Sequence, residues 1–189
     1  MRFVGIDPAT KTGFVALNEL GEVLLEVELQ GKGKKEPGGI SIGQLVDLEN
    51  QLYKLLSPKN EILIEQAAAG TQKGITTGMI HGGLRGMIHR KELRYHEINP
   101  AHTKKYVGVT GWKGATGSKV RLKDKEKKQA VADSVKELFS YTHKSDNVVD
   151  AYIIARAALN FYLLREYKPL IDTLPQQLEV IQAILDKAN

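Results

Sequence analysis

Arg2-Phe-Val-Gly-Ile-Asp7-Pro8-Ala-Thr-Lys-Thr12-Gly13-Phe-Val-Ala-Leu17 decides how this chain is read. The apolar run Phe3 to Ile6 has the length of a buried strand. It breaks at one carboxylate, Asp7, and then at Pro8, which cannot donate to a neighbouring strand. Gly13 to Leu17 resumes as a second strand. A charge therefore sits at the end of a core strand, and two readings fit it: an Asp that bonds its own backbone in a turn, or a carboxylate reserved for a metal ion. Other carboxylates able to reach the same point would separate the two.

Working outward, Val23 to Glu28 is a third apolar run behind the turn Asn18-Glu-Leu-Gly21, which predicts an antiparallel meander. Gly31 to Gly39 is too rich in Gly and Pro for an element and reads as a basic loop. Ile42 to Leu56 carries apolar residues at helical spacing. Glu61-Ile-Leu-Ile-Glu65 is a short strand that, like the first, ends in a carboxylate. After the small, flexible Gln66-Ala-Ala-Ala-Gly70 comes a helix over Thr77 to Lys91, in which Gly78, Gly82 and Gly86 share one face. Each glycine costs a helix about 1 kcal/mol relative to alanine, so a compensating close approach of another helix is expected, within the fold or across a dimer axis. Leu93 to Ile98 reads as a fifth strand, followed by Asn99-Pro100 and a short helix through Tyr106.

Gly108 to Gly117 reads as a glycine-rich loop in which Trp112 either stacks on a base or packs on the core. Lys123 to Phe139 is helical. So is Asp146 to Leu164, with Ser145 as N-cap and Asp146 and Asp150 one turn apart. Pro169 and Pro175 bracket a linker before a helix over Leu178 to Leu185. Residues 1–168 form one domain on this reading, and 169–189 a helical extension of it, with no repeat.

The chain has 189 residues, 42% hydrophobic and 26% charged, which suits one globular domain. It has no cysteine, which excludes thiol nucleophiles and cysteine zinc sites and fits a cytoplasmic setting. No signal peptide or membrane span is expected. The net charge of +5 is unevenly spread. Lys104 to Lys128 holds nine basic residues (Lys104, Lys105, Lys113, Lys119, Arg121, Lys123, Lys125, Lys127, Lys128) against Asp124 and Glu126, leaving 18 basic and 20 acidic residues elsewhere. A basic segment in an otherwise near-neutral domain is either a phosphate-tracking surface or a solvated helix face.

Asp7, Glu65, Asp146 and Asp150 arrive from separate elements. Brought together, they would repel one another unless cations sat between them. Hard oxygen donors without cysteine favour Mg²⁺ or Mn²⁺, and two such ions beside a basic surface are suited to hydrolysing a nucleic-acid backbone.

Gly5-Ile-Asp7-Pro8 with Thr12-Gly13, Ile64-Glu65-Gln66, Gly82-Gly-Leu-Arg85-Gly86, and Asp150-Ala151 with Ile154-Ala155 resemble, in order and spacing, the RuvC family of Holliday-junction resolvases. The resemblance spans about residues 1–165 and is nearest to the RuvC-like endonucleases of lactococcal bacteriophages. It implies an α/β, RNase H-like fold with a five-stranded mixed sheet flanked by helices. It also implies a homodimer, and a two-metal endonuclease that nicks branched DNA. Carried over by position, Asp7, Glu65 and Asp150 match metal ligands, Lys104 and Lys127 or Lys128 match lysines near the scissile phosphate, and Gly82, Arg85 and Gly86 match the dimer helix.

Two departures stand out. The fourth carboxylate position, three before Asp150, is Asn147, so either Asp146 or Asn147 completes the site. Where sequence-selective members carry an aromatic three residues after the Glu, this chain has Ala68, which implies relaxed selectivity and action on forks and flaps as well as junctions. A branch-migration motor as partner is left open.

Three alternatives share parts of the pattern. Sugar kinases and actin bind ATP phosphates with a Gly-Ile-Asp turn, but they need two such domains. An RNase H-type hybrid nuclease fits the carboxylates but not the glycine-faced helix. A branched-DNA-binding protein with a decayed site fits the missing fourth carboxylate.

Overall fold

The computed structural model describes residues 1–34, 36, 39–67, 74–114 and 118–188. Its frame is a mixed five-stranded sheet in the order β3-β2-β1-β4-β5. The strands are β1 (Arg2–Asp7), β2 (Lys11–Leu17), β3 (Val23–Gln30), β4 (Asn60–Glu65) and β5 (His96–Ile98). The first three form the expected meander, with Gly5 opposite Val15 and Asp7 opposite Gly13. β4 runs parallel to β1 and β5 parallel to β4.

Because side chains alternate along a strand, Val4, Ile6, Ile62 and Ile64 enter one core with helices α1 (Ile42–Leu55) and α2 (Gly74–Arg90). Phe3, Val15 and Leu63 enter the other, which is dominated by a long helix, α5 (Asp146–Arg165). Asp7 and Glu65 share the α5 side of the sheet, one step beyond the last β1–β4 pair, Ile6 with Ile64. The remaining elements are α3 (Pro100–Tyr106), a small hairpin β6 (Trp112–Lys113) and β7 (Val120–Arg121), α4 (Asp124–Phe139) and α6 (Pro175–Ala188).

α5 lies directly on the backbone of β1 and β2. A Cβ on Gly5 would stand 2.0 Å from the Ala151 carbonyl oxygen, and one on Gly13 would stand 1.9 Å from that of Asn147. Asn147, Ala151 and Ala155 are four apart and form the helix face that meets these two glycines.

Several elements differ from the pattern-based expectation. β5 begins at His96 rather than Leu93, because Glu92 turns back at φ 57 and Leu93 N–H bonds the Ile88 carbonyl, holding Leu93 to the end of α2. α6 starts at Pro175, since proline suits a first helical turn and the Gln177 side chain accepts from Leu174 N–H. The Gly108 to Gly117 stretch, expected to be a loop, contributes β6, and Gly114 (φ 103) turns the chain out of that strand. Ser145 stands at the N-cap of α5, yet its hydroxyl donates to Glu28 on β3 instead of capping the helix. Among the α2 glycines it is Gly83 that meets α1, at Leu45 and Glu49, whereas a Cβ on Gly78 or Gly82 would meet nothing within 4 Å. Ala68 lies outside the described residues.

Gly5→Ala is expected to destabilise the protein by about 3 kcal/mol or more, because it drives a methyl group into helix backbone that cannot step aside. Urea unfolding of the purified variant measures it.

Candidate active site

β1 and β4 end side by side, so their last residues are brought together by sheet register alone. Asp7 is only 8% exposed, and its carboxyl faces those of Glu65 and Asp150. Carboxyls gathered in this way repel one another when ionised with no cation between them. Burial, followed by the charges of Glu65 and Asp150, holds Asp7 well above the usual carboxylate range, against the pull of Lys104. Burial and the charge of Asp150 push Glu65 up to about 7, with Lys104 and Thr103 opposing. Asp150 is raised by burial while Lys104 and Lys128 pull it down. Three acids from β1, β4 and α5 thus share one buried place, with Lys104 of α3 as a cation common to all of them. Such a donor set suits a hard divalent cation. Among the described residues, no group of three or more His, Asp or Glu is gathered closely enough to hold an ion as the side chains stand.

The two candidates for the fourth ligand point to different neighbours. Asp146 pairs with Lys128 at 2.9 Å and, with Lys104, Lys127, Lys128 and Asp150, lines a cavity of about 320 Å³ between α4 and α5. Both members of that ion pair are more than half exposed, so it contributes at most about 1 kcal/mol and is easily exchanged. The Asn147 side chain lies on the β3 side, where it helps Ser145 and Lys11 hold the Glu28 carboxyl below its usual range.

The basic segment is divided in the fold. Lys104 faces the acids, while Lys105 is paired with Glu179 of α6. Lys113 is bound to Glu126 (2.6 Å) and Lys127 to Asp124 (3.4 Å). Among the described residues no ion pair joins Lys119, Arg121, Lys123 or Lys125 to a carboxylate. Trp112 is 54% exposed, so it does not pack on the core. It sits opposite Arg121 in the hairpin register, which puts both on one face.

The α2 residues lie elsewhere. Gly78 and Gly82 are exposed beside Ile75, which is 81% exposed, and Gly86 is half-buried. Arg85 turns inward to Glu97 at 2.9 Å, and the same carboxylate accepts from Gln66 at 2.8 Å.

Two features of the site carry no motif. Thr103 is fully buried and donates to Glu65 Oε1 at 2.9 Å. Asp172 accepts from Tyr106 Oη (2.7 Å), Asn160 Nδ2 (2.8 Å) and Arg156, tying α3 and α5 to the segment before α6. A Thr beside a Lys in a short helix, or an Asp between two prolines, gives no sequence signal of either contact.

No protein-family model matches the chain, and no curated protein matches it. Solved structures do. A Thermus thermophilus RuvC in complex with a Holliday junction substrate matches with a TM-score of 0.61 at 14% identity, covering 88% of this chain and 96% of that one. A second Thermus thermophilus RuvC structure matches with a TM-score of 0.53 at 17% identity, covering 89% and 98%. The fold is therefore RNase H-like, a mixed five-stranded sheet flanked by helices. No helix among the described residues is long and apolar enough to cross a membrane.

The raised carboxyls fix the sign of a pH effect. A group whose folded pKa exceeds its unfolded value contributes stability below the unfolded pKa and loses it as pH rises through the folded one. For Glu65 that window runs from 4.5 to about 7. The metal-free protein is expected to lose roughly 5–10 °C of Tm across it, and Mg²⁺ or Mn²⁺ should restore most of the loss at the alkaline end; differential scanning fluorimetry with and without EDTA checks both.

Proposed function

We propose that this chain is a divalent-metal-dependent endonuclease that nicks branched DNA, Holliday junctions first among them. The observation that carries the reading is the convergence of Asp7, Glu65 and Asp150 under Lys104. The fold, shared with a RuvC solved in complex with a Holliday junction substrate, supports the choice of substrate. Asp7, Glu65, Asp150 and Asp146 would hold Mg²⁺, with Mn²⁺ as a substitute. Two such ions supply an activated water and a stabilised leaving oxygen. The chain's own part is to gather and orient the acids, to set Lys104 and Lys128 beside the phosphate, and to keep the site walled by α5. Asp146 is preferred to Asn147 because it borders the cavity that Asp150 and the two lysines share, and because its partner Lys128 is free to exchange it for a phosphate.

The face formed by the hairpin and the start of α4 would track the backbone with Lys119, Arg121, Lys123 and Lys125, while Trp112 offers a ring for base stacking. The open glycine face of α2 supports a homodimer, two sites then cutting two strands. Ala68 supports relaxed sequence selectivity, with forks and flaps as further substrates. The motif order supports kinship with lactococcal-phage RuvC-like endonucleases acting in a host cytoplasm.

A second reading, a protein that binds branched DNA without cutting it, draws on one observation: Asp146, the only carboxylate candidate for the fourth ligand, is paired with Lys128.

A labelled four-way junction, fork, linear duplex and RNA/DNA hybrid titrated with Mg²⁺ decide between these readings. Symmetric nicking of the junction, abolished by EDTA, is expected. Asp7→Asn should bind the junction as wild type and cut it about 1000-fold more slowly or less, and Asp146→Asn should slow cutting far more than Asn147→Ala. Uncut junction under every metal condition would leave the binding-only reading. Gly82→Leu, whose side chain enters open space in the monomer, should leave the fold intact and give a monomer in light scattering; an unchanged dimer would remove α2 from the interface.

A further inference from the structure

We infer that Thr103 is a positioning residue for Glu65, holding that carboxylate in a single orientation. The inference rests on the nuclease reading for what Glu65 does, and on the structure alone for the contact. Thr103 has no exposed surface, and its hydroxyl meets Glu65 Oε1 at 2.9 Å across 38 residues of chain. A β-branched side chain has few χ1 choices, whereas the terminal torsion of a glutamate is broad. The stiff partner therefore sets the direction of the loose one.

Thr103 is itself well held. At the start of α3, Asn99 Oδ1 accepts from Ala101 N–H at 2.8 Å with Pro100 in the first turn. One turn beyond Thr103, the fully buried Tyr106 donates to Asp172 at 2.7 Å, and Asn160 and Arg156 hold the same carboxylate. α3 is thus fixed at both ends, and the inner face of the helix delivers one hydroxyl to one carboxylate oxygen. Lys104, the next residue, acts on the same acids by charge; Thr103 acts by direction.

The test uses the full chain with Thr103→Val, which keeps shape and loses the donor, and Thr103→Ser, which keeps the donor. Mn²⁺ binding to the DNA-free protein is read by calorimetry, and kcat and KM on a labelled four-way junction. Thr103→Val is expected to weaken Mn²⁺ binding and lower kcat by about ten-fold each, with KM for the junction and Tm near wild type. Thr103→Ser should recover both within a factor of about three. Should Thr103→Val not fold, Thr103→Ala takes its place. Wild-type Mn²⁺ affinity and kcat in the variant lacking the hydroxyl would overturn the inference, as would a loss that serine does not rescue. A wild-type protein that binds Mn²⁺ but cuts no branched DNA would remove the nuclease reading, while the calorimetry still decides the role of Thr103.

Discussion

Helix backbone resting on strand backbone is the contact from which the rest of this molecule follows. Gly5 and Gly13 leave no side chain between the sheet and α5, and Ala151 and Ala155 keep the helix side of the contact thin. Were either glycine replaced, α5 would have to lift off the sheet, and Asp150 would withdraw from Asp7 and Glu65. The apolar core on the α5 side, with Phe3, Val15, Leu63 and the alanines of α5, is therefore more than a source of stability. It sets the depth at which three acids meet.

That depth has an electrostatic cost which the fold does not remove. Buried carboxylates are normally paired with cations or stripped of charge. Elsewhere this chain follows the rule: Glu61 is held by Arg165 through two hydrogen bonds of 3.1 and 2.8 Å, and Asp172 by Arg156. At Asp7, Glu65 and Asp150 one common lysine, Lys104, stands where a full counter-charge would be expected. The contrast between well-paired acids and under-paired ones in the same molecule is what singles out the latter as the candidate site.

Much of this was legible in the sequence because it rests on local pattern. The strands before Asp7 and Glu65, the helix behind Asp150 and the antiparallel start follow from apolar runs and turn residues, and the convergence of the acids follows once β1 and β4 are neighbours. What could not be read depends on tertiary direction. Periodicity placed Gly78, Gly82 and Gly86 on one helix face, but only packing shows that Gly83 is the one that meets α1. Arg85 matches the family's dimer helix by position, but no local pattern signals its ion pair with Glu97 of β5. Asp146 and Asn147 are separated by a single helical step of about 100°, which places one beside Lys128 and the other on the Glu28 side. Thr103 and Asp172 have partners far away in sequence, and no spacing rule reaches them.

The order in which the site's pieces occur along the chain has a consequence for how the protein comes into being. Asp7 and Glu65 are joined by early sheet pairing, the basic stretch around α4 follows, and Asp150 arrives only with α5, whose docking closes loops spanning most of the molecule. Contacts of such long sequence separation form late and slowly. During synthesis, a nascent chain exposes its cationic stretch before it has the last acid in place. Under the proposed function, affinity for polyanions would thus precede any capacity to break them, and an incompletely folded copy would be a harmless one.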